Sequence, residues 1–308
     1  MLRHDTDGLV TYHFETLALE GLVHAVFTRL GGVSQGPFAS LNVGNTVGDD
    51  AAAVIENHRR IYAHLHLDAD QVVSPYQVHS NRVAVVGPGD GGTVIPNADG
   101  LVTDAPRLAL LLRFADCQPI LLYDPVHHAV GLIHAGWRGV AQGIARRAVE
   151  AMREAFGSRS QDLIAGLGPA IGPCCYTVGQ EVAVAMGYAL HDWSRALSAQ
   201  GEDEWRFDLP LANALQLRAE GVRHIEQADL CTATHQDEFY SHRGDNGQTG
   251  RFAVVAFLEP RSVETGAGPG ERRLESVPPD AEEVESTMLS SPYPPGFPAF
   301  GEAPEGDS

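Results

Sequence analysis

Residues 129–156 read "AVGLIHAGWRGVAQGIARRAVEAMREAF". Ala129 to Ile133 are apolar or small, as in a strand covered on both faces. His134 then ends the apolar run, and Gly136-Trp137-Arg138-Gly139 turns the chain. From Val140 the apolar residues recur at helical spacing, "VAQGIARRAVEAMREAF", so the segment reads strand, turn, amphipathic helix. Such a unit points to α/β layering. It also poses a question, because a buried strand has no packing reason to end on histidine. Either His134 is a satisfied core residue, or the strand delivers it to a site.

The alternation continues on both sides. Strands are expected at "HAVFTR" (24–29), "VVSPYQVH" (72–79), "RVAVVG" (82–87), "LALLLRFADC" (108–117), "ILLYDP" (120–125), "LIAGLGPAIG" (163–172) and "RFAVVAFL" (251–258). Asp49 and Asp50 sit where an N-cap belongs, before the helix "AAAVIENHRRIYAHL". Further helices are expected over 179–190 and 210–220. The fold class is α/β (α+β), a layered sandwich of mostly buried sheets flanked by helices, forming one domain over 1–258. Residues 259–308 differ: they hold nine of the 19 prolines and 11 acidic against three basic residues. That composition reads as a disordered acidic tail.

Composition narrows the function. The formal charge of −19 opposes phosphate backbones, so no nucleic-acid partner is expected. No apolar run reaches the length of a membrane helix, and the start lacks an apolar leader core. Cys117, Cys174, Cys175 and Cys231 do not suggest a disulfide framework, so a cytoplasmic protein with reduced thiols is expected. All 21 basic residues are arginine, which removes a P-loop lysine and any Schiff-base lysine in this chain.

Three strand-like runs end in metal-competent residues: His79, Cys117 and His134. If they converge, two imidazoles and a thiolate make an open site of the zinc type, with a fourth position free. They are far apart in sequence, and spacing by itself favours buried structural residues over ligands. A Cys/His pair for acyl transfer is a further option. Asp116, beside Cys117, reads equally as an orienting or basic carboxylate and as a structural one. Asp99 and Asp124 read as turn residues. Arg29, Arg138 and Arg243 lie in glycine-rich turns and are candidates for holding phosphate or carboxylate. Adjacent Cys174 and Cys175 read as turn packing, since neighbours seldom ligate one ion. The one His-x-His pair, His64 and His66, falls at a helix.

Eight blocks occur in order: "FTRLGGVSQGPFASLNVG", "QVHS", "ADGLVTD", "ADCQPILLYD", "HAGWRG", "GPAIGPCCYTVG", "FDL" and "SHRGDNGQTGR". Together they resemble the YfiH-like family, also called the laccase-domain or multicopper polyphenol oxidase family, over about residues 20–258. The resemblance implies mixed sheets in a sandwich distantly similar to cytotoxic necrotizing factor-type cysteine hydrolases. It implies that His79, Cys117 and His134 are metal ligands, usually for zinc, reversing the reading that spacing favours. It further implies purine nucleoside phosphorylase activity on adenosine, inosine, guanosine and methylthioadenosine, with inorganic phosphate as co-substrate and adenosine deaminase activity at the same site. The alternatives are a cysteine amidase acting on a cell-wall precursor, with Cys117 as nucleophile, a copper-dependent polyphenol oxidase, and a metal-stabilised binding protein. A mononuclear Cys/His/His site suits zinc better than multicopper oxidation, which needs many paired histidines.

Overall fold

Two sheets lie face to face, and each carries a helix on its outer face; this layering explains the continuous apolar runs. The computed structural model describes residues 1–261, so the expected acidic tail lies, from Ser262 on, outside the described residues. The first sheet runs in the order Leu2–Thr6, Leu9–His13, Leu22–Phe27, Phe252–Leu258, Ala109–Phe114, Val72–Pro75, Val94–Ile95. The second runs His224–Gln227, Ile164–Leu167, Gln118–Asp124, Ala129–Ala135, Gly100–Thr103, Val83–Val85. A smaller sheet joins Thr177–Gly179, Glu204–Phe207 and Leu197–Ala199. Both large sheets mix parallel and antiparallel pairs, as expected.

The period-2 geometry of strands sorts the side chains. Leu110, Leu112 and Phe114 pack with Leu121, Tyr123, Val130, Leu132, Phe252 and Val254 between the sheets. Their neighbours Ala109, Leu111, Ala253, Val255 and Phe257 face outward, toward Ile61 of the Ala51–His64 helix. On the second sheet Ile120, Leu122, Ile133 and Ala165 meet the other helical layer. There, Ile144, Ala145, Ala148, Val149 and Met152 form the buried stripe of helix Ile144–Phe156. Val130 and Leu132 face the inter-sheet core, so His134, two residues on, points the same way.

Four details depart from the sequence reading. The helix expected from Val140 is two helices, Trp137–Ala141 and Ile144–Phe156. Gly143, with φ +75°, breaks the first and starts the second. Trp137 and Arg138 therefore lie in a first helical turn and not ahead of the helix. The strand expected to carry His79 stops at Pro75, leaving His79 on a loop with φ +60°. Asp116 is not on a strand either: residues 115–117 bend from the first sheet into the second, with Asp116 at φ +84°. An N-terminal hairpin, Leu2–Thr6 with Leu9–His13, was not expected. It turns on Asp7-Gly8, both at positive φ, the pairing that a two-residue hairpin loop prefers.

Candidate metal centre

Three elements deliver the three residues. Cys117 sits on the short link between Phe114 of the first sheet and Gln118 of the second. His134 closes strand Ala129–Ala135 and is 5% exposed. His79 comes from the loop after Val72–Pro75. One ligand atom from each lies within 4.8 Å of the others. The imidazoles of His79 and His134 meet edge-to-face with centroids 4.9 Å apart. Gly136 makes room, for a Cβ there would stand 2.6 Å from Cys117 Sγ.

Asp99 organises this group, contrary to the turn role read from sequence. Its Oδ1 accepts from His134 Nδ1 at 3.0 Å and from the His79 backbone N–H at 3.0 Å. Its Oδ2 accepts from the N–H of Val78 and of Ser80 and from the Ser80 hydroxyl. With His134 Nδ1 engaged, Nε2 is the nitrogen left for the cluster. Burial pushes the Asp99 carboxyl up, but His134 and Ser80 outweigh it and hold the group below its usual value. Burial likewise raises the Cys117 thiol, yet His134 and His79 bring it down to about 6. His134 is lowered by burial and raised more by Cys117 and Asp99, to about 9. Cys117 and His134 thus favour each other's charged forms, and two imidazoles with a thiol make a donor set suited to a thiophilic cation.

Asp116 does not join the three. Its Oδ1 accepts from the Thr232 hydroxyl and its Oδ2 from the Arg243 backbone N–H, each at 2.6 Å. Arg243 reaches back to Thr177 O, and its guanidinium covers the Tyr176 ring at 5.2 Å. Tyr176, under the Arg243 guanidinium, is pushed up by burial and by Cys117, and pulled down by Arg243 and Arg138. Arg138 lies over the Trp137 ring at 4.6 Å. Arg29 stands differently: Nε donates to Ala39 O, one Nη donates to Gln236 O, and the guanidinium covers Tyr240.

Sequence reasoning missed Tyr176, Arg251 and Gly136, and assigned Asp99 to a turn. Arg251 is pulled down by burial and held up by the charges of Cys117 and Asp116, and its guanidinium donates to Thr249 O and Gly250 O. The signal for Gly136 was present, as a glycine directly after a strand that ends on a candidate ligand. Asp124 does have the turn role expected of it, accepting from the N–H of Val126 and His127.

Comparison with known proteins identifies relatives of this chain. The family model described as multi-copper polyphenol oxidoreductase laccase matches residues 23–259. A protein named purine nucleoside phosphorylase YlmD from Geobacillus stearothermophilus is 40% identical over 255 residues, covering 78% of this chain and 91% of its own length. Its namesake from Bacillus subtilis is 38% identical over 240 residues, covering 75% and 86%. Among solved structures, YlmD of Geobacillus stearothermophilus superposes with a TM-score of 0.80 at 37% identity, covering 83% of this chain and 98% of the other. The Bacillus licheniformis protein YfiH superposes with a TM-score of 0.78 at 36% identity, with the same coverage. The chain belongs to the multi-copper polyphenol oxidoreductase laccase family, the group of YfiH and YlmD.

Proposed function

We propose that this chain is a zinc-dependent purine nucleoside phosphorylase acting on adenosine, inosine, guanosine and methylthioadenosine, with adenosine deaminase activity at the same site. The observation that carries the reading is the convergence of His79, Cys117 and His134, with Asp99 behind His134. Relatives bearing the purine nucleoside phosphorylase name support the substrate class. The donor set fits zinc: two imidazoles, one thiol already held low, and a carboxylate orienting the buried imidazole. When bound, zinc supplies Lewis-acid polarisation of a substrate or water oxygen. Copper oxidation is the weaker reading, since among the described residues neither metal-competent group includes His64 or His66.

Phosphorolysis joins a phosphate oxygen to the anomeric carbon and breaks that carbon's bond to the purine nitrogen. The purine leaves with the electron pair and takes up a proton. Holding a phosphate dianion needs guanidinium groups. Arg138 is exposed and stacked on Trp137, with no hydrogen bond to another described side chain, so we assign it to phosphate. Arg243 keeps part of its fork for the same ligand. Arg29 is already committed to two carbonyls, and we assign it to holding the glycine-rich loop. Asp116, with both oxygens accepting short hydrogen bonds, positions Arg243 and Thr232, and we assign it this orienting role and not that of a base. The substrate is a small nucleoside, no nucleic acid is involved, and the four free cysteines suit the cytoplasm. Among the described residues no helix is long and apolar enough to cross a membrane.

A second reading has its own support. Cys117, His134 and Asp99 stand in the order of a nucleophile, a base and an orienting carboxylate, as a cysteine amidase needs. The two readings separate at His79, which a metal site requires and a triad does not. Phosphate-dependent release of purine from a nucleoside panel, with metal analysis, is the test. We expect His79→Ala to lose one metal equivalent per chain and the phosphorolysis together. Retained metal and activity would remove the zinc reading. Phosphate-independent amide hydrolysis that survives His79→Ala but not thiol alkylation would establish the second.

A further inference from the structure

Outside this site a second group of thiols comes together. Sequence alone discounts Cys174 and Cys175 because adjacent residues seldom share an ion. Here the chain turns between them: the N–H of Cys175 and of Tyr176 both donate to Gly172 O, at 3.0 and 3.1 Å. The turn sends both thiols toward Cys231, which a bridge to Ala170 holds alongside. All three sulfurs lie within 4.8 Å of one another, and none forms a disulfide. The Gly172 N–H donates to Cys231 Sγ at 3.2 Å, and a Cβ on Gly172 would stand 3.6 Å from both Cys174 Sγ and Cys231 Sγ.

We propose that Cys174, Cys175 and Cys231 form a second metal site, specific for a closed-shell thiophilic ion, Cu(I) or Zn(II). The group contains no carboxylate and no imidazole, so Mg(II) and Ca(II) find no ligand there. Three sulfurs complete a trigonal shell for Cu(I) and leave Zn(II) one position, on the side of exposed Cys174. The site borders the first one. Cys231 precedes Thr232, whose hydroxyl donates to Asp116, and Cys175 precedes Tyr176, which lies beneath Arg243. A bound ion would pin these two segments to each other.

The test uses the full chain carrying Cys117→Ser, which disables the first site. Anaerobic Cu(I) is titrated against a chromophoric chelator, and Co(II) is used in parallel as the spectroscopic stand-in for Zn(II). We expect one equivalent of at least one ion with intense thiolate-to-metal absorption. Adding Cys174→Ser and Cys231→Ser should abolish that absorption, since one thiolate of three remains. Should that variant not fold, Cys174→Ser alone touches an exposed residue, and it should lower the absorption per bound ion. Neither ion binding the Cys117→Ser chain would overturn the proposal. So would binding or absorption that the serine substitutions leave unchanged. Neither outcome depends on whether the protein cleaves nucleosides.

Discussion

Asp99 Oδ1 lies 3.0 Å from His134 Nδ1, and the same carboxylate gathers the N–H groups of Val78, His79 and Ser80. One fully buried acid thus fixes one imidazole directly and, through the backbone, the loop that carries the other.

Asp99→Asn keeps the size and removes the charge that fits these donors. Metal affinity should fall about 10- to 100-fold, because an orienting partner of a ligand histidine is lost. Chelator competition measures it. An affinity equal to the parent's would show that Asp99 serves the loop alone.

Gly136→Ala should strike the site more than the fold. The new Cβ would meet Cys117 Sγ at 2.6 Å, and Cys117 must move away. We expect turnover to drop by at least an order of magnitude while Tm falls by a few degrees, as for a modest overpacking of about 1–3 kcal/mol. Thermal scans and steady-state rates on one preparation check it. A large loss of Tm with full activity per folded molecule would contradict the geometry.

Arg138→Ala should raise the KM for phosphate about tenfold, the loss of one charge-assisted anion contact, and leave the nucleoside KM nearly constant. Arg138→Lys should restore part of the loss, since charge returns without the planar fork. A phosphate KM indifferent to Arg138 would move the anion site to Arg243.

Stability should decline as pH falls below about 6.5. His24 and His58 are lowered by burial to about 4, and His24 Nε2 accepts the Phe14 N–H, so both stay neutral in the fold. Above 6.5 neither state binds these protons. Between 6.5 and about 4 the unfolded chain takes them up and the folded chain does not. Stability then falls by about 1.4 kcal/mol per pH unit for each histidine fully engaged. Around His24 the relevant titratable neighbours are His13, itself lowered by burial to about 4, which lowers it, and Glu226, which raises it. Urea unfolding from pH 7.5 to 4.5 measures the slope, which His24→Gln should make shallower. Asp99 and Asp124 act in the same direction at lower pH: they are held low in the fold, so their contribution is lost as pH falls from the ordinary carboxylate range through those lower values.

Much of the sandwich was legible because its central strands are apolar on both faces, so runs such as Leu108–Phe114 announce burial without revealing which sheet they join. Asp99 was not legible as an organiser, for its partners lie 19 to 21 residues back, at Val78 to Ser80, and 35 residues on, at His134. The strand expected through Asp116 stops at Phe114, so strand alternation does not apply to a residue that sits in a bend. The strand expected through His79 stops at Pro75, a signal that the flanking valines of "VVSPYQVH" obscure. The thiol group was hidden by adjacency, which counts against shared ligation on extended chain but not in a turn closed on Gly172.

The link from Phe114 to Gln118 crosses between the sheets, and the three proposed ligands divide accordingly: His79 hangs from the first sheet, His134 ends a strand of the second, and Cys117 rides the crossing. The first sheet has Phe252–Leu258 at its middle, hydrogen-bonded to Leu22–Phe27 on one side and Ala109–Phe114 on the other. During synthesis that strand emerges more than a hundred residues after His134. The proposed metal site therefore has a birth order: its last ligand, His134, is made more than a hundred residues before the strand that completes its frame, so metal loading is expected only once residue 258 has emerged.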